Sequence, residues 1–253
     1  MPARLPTLRA GSSGRQRKGA AEPPATLAIA SAVLALHRDG HHEQALEAVD
    51  NMVAEQAERH GQESAEVAHA SSAAVRLCNE LALSAMQHGA PGFSFEHAHT
   101  YLQRALHMPS ASPSLIPVTL NNLSIFYTRT GQPQKALRCL LRVVKQAKVP
   151  SSSQDSVAVH AALNLTTVLA DMGRHREALQ MAQQAVRNLP RSANGRSADP
   201  SLLCAAYHNL AVQQERLGST AGHMQSYRAA LAQVRRPHYK FLSSMCRYGV
   251  LMI

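Results

Sequence analysis

The sequence contains no tryptophan, and phenylalanine and tyrosine together supply only 4% of its residues. A core built without large rings must rely on alanine, leucine and valine, which suits closely approaching helices better than a sheet sandwich. Cysteine is also scarce. Cys78, Cys139, Cys204 and Cys246 lie far apart with no CxxC among them, so neither a disulfide framework nor a thiolate metal site organises the chain, and buried, reduced thiols are expected. No apolar run reaches the roughly 18 residues of a membrane span. A Gly-rich phosphate loop, GxSxG and HExxH are all missing, as is any recurring pair of carboxylates for acid–base work, so the sequence reads as non-enzymatic. Fourteen histidines are present, with His41-His42 and His97-Ala98-His99 the densest groups. Residues one or two apart on a helix do not share a face, and no Cys or acid stands at ligand spacing. No metal and no cofactor are therefore expected.

Acidic residues are outnumbered, 16 against 26 Lys and Arg, for a net charge of +10. Part of that excess is local. Residues 1–24 carry Arg4, Arg9, Arg15, Arg17 and Lys18 against Glu22 alone, are rich in Gly, Ser and Pro, and show no apolar periodicity. They read as a disordered basic tail. An organelle-targeting peptide is the alternative, but the amphipathic apolar face it needs is missing; otherwise the expected location is cytoplasmic. A specific nucleic-acid arm is not expected, because no aromatic residue is interleaved to stack on bases.

What is present is repetition. Residues 119–147 read TLNNLSIFYTRTGQPQKALRCLLRVVKQA, and related stretches begin at Ala161 and Ala206. Each opens on an Asn-Leu pair (Asn122-Leu123, Asn164-Leu165, Asn209-Leu210) and has a glycine eight residues after the Leu, at Gly131, Gly173 and Gly218. In the first copy Leu120, Leu123, Phe126 and Tyr127 occupy one helix face. Gly131 supplies the positive φ that ends the helix, and Pro133 suits the first turn of the next. Ala136, Leu140 and Val143 then form an inner stripe whose small member lets two helices approach closely. Such a hairpin cannot bury its own apolar stripe and must stack on a neighbour. Ile29 to Met52 around Gly40 gives a further hairpin, and Cys78 to Ala105 around Gly89 another, with the extra residues 90–93 forming a longer loop.

These residues resemble the tetratricopeptide repeat. The positions of that family's hairpin are filled by Leu120, Leu123, Ser124, Tyr127, Ala136 and Leu140, and by Ala162, Leu165, Thr166, Leu169, Ala178, Ala182 and a closing Pro190. In the third copy His223 stands where Ala is expected, which predicts looser packing there. Gly131 and Gly173 are 42 residues apart, and Gly173 and Gly218 are 45 apart, longer than the family's usual period of about 34. The spacing is similar to the long-helix variant of kinesin light chain and spindle-orientation adaptors. The resemblance implies an all-α, right-handed superhelical solenoid of about five antiparallel hairpins, at about 26–60, 67–110, 117–149, 158–190 and 203–236. After it, 237–253 reads as a capping or partial-repeat helix whose apolar end is a candidate for self-association.

In such a solenoid the first helix of each unit lines the concave face. The residues offset from the packing stripe are Arg76, Asn79, Asn121, Asn122, Ile125, Arg129, His160, Asn164, Thr167, His208, Asn209, Val212 and Arg216. A carboxamide both donates and accepts, so a row of asparagines can grip the backbone of an extended peptide. The same asparagines can instead tie adjacent helices together. Arg129, Arg216, His160 and His208 would favour an acidic peptide or a terminal carboxylate. The expected function is a protein-interaction adaptor holding an extended, acidic segment of a partner protein, with an architectural subunit of a larger assembly as the alternative.

Overall fold

Four glycines set the rhythm of the chain. Gly40, Gly131, Gly173 and Gly218 adopt φ of +85°, +71°, +74° and +77°. At each, the residue after the glycine donates its N–H to the carbonyl five positions back: His41 to Leu36, Gln132 to Tyr127, Arg174 to Leu169 and Ser219 to Gln214, at 2.7–2.8 Å. The glycine N–H itself bonds three positions back, which completes a Schellman closure. A Cβ would meet nothing within 4 Å at any of the four. The left-handed φ, rather than crowding, is what calls for glycine.

The computed structural model describes residues 24–87, 89, 92–146, 155–189 and 200–234. Residues 1–23 of the segment read as a basic tail, the closing segment 237–253 and Pro190 lie outside the described residues, while Pro24, the last residue of that tail, opens α1. Among the described residues ten α-helices follow in order: α1 Pro24–Arg38, α2 His42–His60, α3 Ala65–Ala85, α4 Phe95–Leu106, α5 Ile116–Arg129, α6 Pro133–Gln146, α7 Asp155–Asp171, α8 His175–Asn188, α9 Pro200–Arg216 and α10 Thr220–Val234. A single 3₁₀ turn, Pro113–Leu115, leads into α5. Among the described residues there is no strand.

Local chemistry starts and stops these helices. Ser64 and Ser94 accept the N–H of Val67 and His97 at 3.3 Å, capping α3 and α4, which satisfies one orphan donor at each start. Pro117 sits in the first turn of α5, where its missing N–H costs nothing. The glycine-centred turn joins α1 to α2, α5 to α6, α7 to α8 and α9 to α10. The α3–α4 connection is longer, as the extra residues predict, and Ser94 N–H closes it on the Ala85 carbonyl at 2.9 Å.

Every helix packs on the next, and each odd-numbered helix also packs on the following odd one: α1 on α3, α3 on α5, α5 on α7 and α7 on α9. The even-numbered helices lack comparable contacts with one another among the described residues. The chain is therefore an all-α solenoid with a continuous inner row and a splayed outer row. Its core is a ribbon of small side chains. Ala45, Val49, Met52, Ala98, Leu102, Ala105, Ala136, Leu140, Val143, Ala178 and Ala182 are all buried, as their helical spacing predicts. Burying a Leu or Val contributes about 1.5–3 kcal/mol, so alanine's role at these positions is close approach.

The last hairpin differs from the expectation that His223 would loosen it. The close approach is made one position earlier. A Cβ on Gly222 would come within 3.1 Å of Gln214 Nε2 of α9, and Ser226 donates to Gln214 Oε1 at 2.7 Å. Ser226 and Ala230 are buried, while His223 bonds the Ser219 carbonyl.

Candidate functional site

The inner row brings the recurrent asparagines together. Asn122 of α5 donates to Asn79 Oδ1 of α3 at 2.8 Å. Asn79 in turn donates to the Val75 carbonyl and to Thr119 Oγ1, both at 2.9 Å. Asn164 of α7 donates to Asn121 Oδ1 of α5 at 3.0 Å. Asn209 of α9 reaches the Leu163 carbonyl of α7 at 3.4 Å. All five are buried, Asn121 and Asn122 completely. These carboxamides brace one inner helix against the next, because each sits at the seam where two inner helices touch. Some amide capacity is left over: Asn121 Nδ2, Asn122 Oδ1 and Asn164 Oδ1 have no partner.

The other expected residues divide by exposure. Ile125 is buried, whereas His160, Thr167, His208 and Val212 are half-buried and Arg76, Arg129 and Arg216 are exposed. Arg129 donates Nη1 to the Met86 carbonyl at 2.6 Å, tying α5 to the end of α3. Burial holds the His208 pKa below its ordinary value, so at neutral pH its ring is an uncharged hydrogen-bonding group.

A cleft of about 420 Å³ opens between α3 and α5, lined by Arg76, Asn79, Glu80, Leu83, Ser84, Gln87, Leu115, Val118 and Asn122. That is the scale of a ligand-sized concavity. The next depression along the row, between α5 and α7, is bordered by Ile125, Asn164 and Thr167 and holds only about 10 Å³, room for one water. The cleft thus gathers Arg76, Asn79 and Asn122 into one place and leaves the remaining expected residues outside it. Glu80, Leu83, Ser84 and Gln87 were not singled out from the sequence. They follow Arg76 at helical steps of four, seven, eight and eleven, so continuing that face along α3 would have found them.

The Cys78 thiol is inert. Burial pushes it up to about 12, and among the described residues Cys78, Cys139 and Cys204 form no disulfide. Among the described residues no group of three His, Cys, Asp or Glu is placed to hold a metal ion, and no helix is long and apolar enough to cross a membrane.

Residues 115–191, covering α5 to α8, match the tetratricopeptide repeat model. No curated protein matches the chain. Among solved structures, Bacillus thuringiensis PlcR, in complex with the peptide PapR7 and DNA, is 14% identical, with 83% of this chain and 69% of that one covered at a TM-score of 0.55. The nearly identical TPR-like repeats of a Podosopora anserina kinesin light chain protein are 16% identical, covering 83% of this chain and 94% of that one at a TM-score of 0.52. At such identities the likeness is one of fold.

Proposed function

Residues 115–191 are tetratricopeptide repeats, flanked by hairpins of the same kind, and from that premise we propose that the chain is a non-enzymatic protein-interaction scaffold. It holds an extended segment of a partner protein along α3, α5, α7 and α9, anchored at the α3–α5 cleft. The observation that carries this reading is the cleft itself. It has apolar walls (Leu83, Leu115, Val118), Arg76 and Glu80 on its rim, and the buried Asn122 at its floor. The exposed Arg76 and Arg216 favour acidic side chains on the bound segment. PlcR, of related fold, is bound to a peptide in its solved structure.

The test is fluorescence anisotropy with labelled pools of mixed-sequence acidic, neutral and basic peptides. The acidic pool should bind tightest, and Arg76→Glu combined with Arg216→Glu should weaken it by about tenfold while the helical circular-dichroism signal is unchanged. Equal binding of all three pools, or indifference to the charge reversal, would overturn the acidic-peptide reading.

A second reading, an architectural subunit packed inside a larger assembly, is favoured by α10. Met224 and Leu231 are 47% and 56% exposed and stand seven residues apart on one face of that helix. Loss of assembly upon Leu231→Lys with peptide binding retained would favour that reading.

A further inference from the structure

Three histidines converge where the first hairpin meets α4. His37 lies in the last turn of α1, His42 opens α2, and His97 lies in the first turn of α4. His37 is 2% exposed. Its Nδ1 is 3.2 Å from His42 Nδ1 and 3.5 Å from Tyr101 Oη, and His42 Nδ1 is 3.3 Å from the same hydroxyl. The Tyr101 hydroxyl also donates to the His42 carbonyl at 3.3 Å. The His42 ring stacks on His97 with centroids 4.2 Å apart and planes 25° apart, and His97 Nδ1 is tied to Ser94 Oγ at 2.8 Å. Gly92 closes over the group so tightly that a Cβ there would lie 2.5 Å from the His37 carbonyl oxygen and 2.8 Å from its Nε2.

A hydrogen bond between two imidazole nitrogens needs an N–H on one and a lone pair on the other. One added proton makes the donor ring an imidazolium whose N–H still points at the neutral partner's lone pair. A second leaves two N–H groups face to face, beside a third ring stacked in van der Waals contact. Among the described residues no carboxylate is paired with these rings to neutralise that charge. From α2, Asp50 is committed to Arg104 of α4 at 2.6 Å. From α3 comes the Cys78 thiol, held neutral by burial. Arg38, Asp39, Glu43 and Glu96 are exposed neighbours on the cluster's own segments, and among the described residues no carboxylate bonds to any of the three rings.

We propose that this cluster is a proton-sensitive latch, in which uptake of a second proton parts the first hairpin, α1 and α2, from α4 and frees one end of the inner row. The inference rests on the cluster's geometry and is independent of what the concave face binds. Burial first, and then the neighbouring rings, hold the His37 and His42 pKa values below their ordinary 6.5. The unfolded hairpin therefore binds more protons than the folded one below that pH. The latch is intact above about pH 6.5 and weakens as pH falls from there toward the depressed folded values. Because α1 packs on α3, opening it exposes the flank of the helix that forms one wall of the cleft.

Hydrogen exchange of the full chain at pH 7.5 and 5.5, expressed as protection factors, tests this. Protection in α1 and α2 should fall at least about tenfold between the two, against less than about threefold in α7 and α8. His42→Gln, which keeps a hydrogen-bonding partner for His37, and separately His97→Gln, which removes the stacked ring, should each bring the fall in α1 and α2 below about threefold. An undiminished fall in either variant, a fall shared equally by α7 and α8, or no fall in the unaltered protein would overturn the proposal.

Discussion

Asn122 and Asn79 meet across the inner row at 2.8 Å, the carboxamide nitrogen of one donating to the carboxamide oxygen of the other. Both are buried, so the bond is a cross-brace between α5 and α3. It borders the cleft without being open to exchange with water.

Asn122→Ala removes that donor and leaves Asn79 Oδ1 buried without it. The expected loss is about 1–3 kcal/mol, measured as a shift in the urea midpoint. In a double-mutant cycle with Asn79→Ala the combined loss should fall short of the sum by about 0.5–2 kcal/mol, because the two side chains share one bond. Additive losses would mean that the brace contributes nothing as a pair.

Gly131→Ala and Gly92→Ala separate two reasons for glycine. Gly131 has open space around it and a φ of +71°, so alanine there bears only the left-handed strain, about 1–2 kcal/mol. Gly92 combines a φ of +78° with a Cβ position 2.5 Å from backbone. Its alanine variant should be the less stable of the two in the same urea titration.

Ala136→Leu and Ala178→Leu push methylenes into the seam between paired helices, where both alanines are wholly buried. Overpacking should destabilise each by about 1–3 kcal/mol. A thermal melt unchanged from the parent would contradict the close-approach role.

His208 is half-buried on α9, and burial depresses its pKa. Its folded pKa lies below its unfolded one, so it contributes to stability above about pH 6.5, and that contribution is lost as pH falls toward the folded value. His208→Gln should therefore show a smaller drop in urea midpoint between pH 7.5 and 5.5 than the parent.

Cys78 and Cys139 should differ in reactivity. Cys78 is fully buried with its thiol pushed up to about 12, whereas Cys139 is partly exposed. Peptide mapping after brief iodoacetamide treatment should find Cys139 modified first and Cys78 protected until the chain unfolds.

The parts of this structure that can be read from sequence are those set by local chemistry. Gly131 announces a turn because left-handed φ nearly requires it, and Ala136 and Ala178 announce a seam because their size and spacing suit little else. The longer loop before α4 follows from counting residues. The asparagines are harder. Whether Asn122 faces a partner or a neighbouring helix depends on how far apart the inner helices sit, a distance set by the whole stack. The last hairpin eluded the pattern because a one-residue slip moved the small position from His223 to Gly222, and pattern matching holds the register fixed. The histidine cluster was invisible for a simpler reason. His37 and His42 belong to one hairpin and His97 to the next, and only packing brings them together.

The inner row has a mechanical meaning. Where the odd helices pack on one another more closely than the even ones do, the inner seam acts as the neutral line of a bent beam. Flexing the solenoid changes lengths mostly along its outer edge. The asparagine braces lie on that line and are strained little when curvature changes. The Asp50–Arg104 pair instead bridges α2 and α4 across the outer edge, so bending between the first two hairpins stretches that ion pair rather than an asparagine brace.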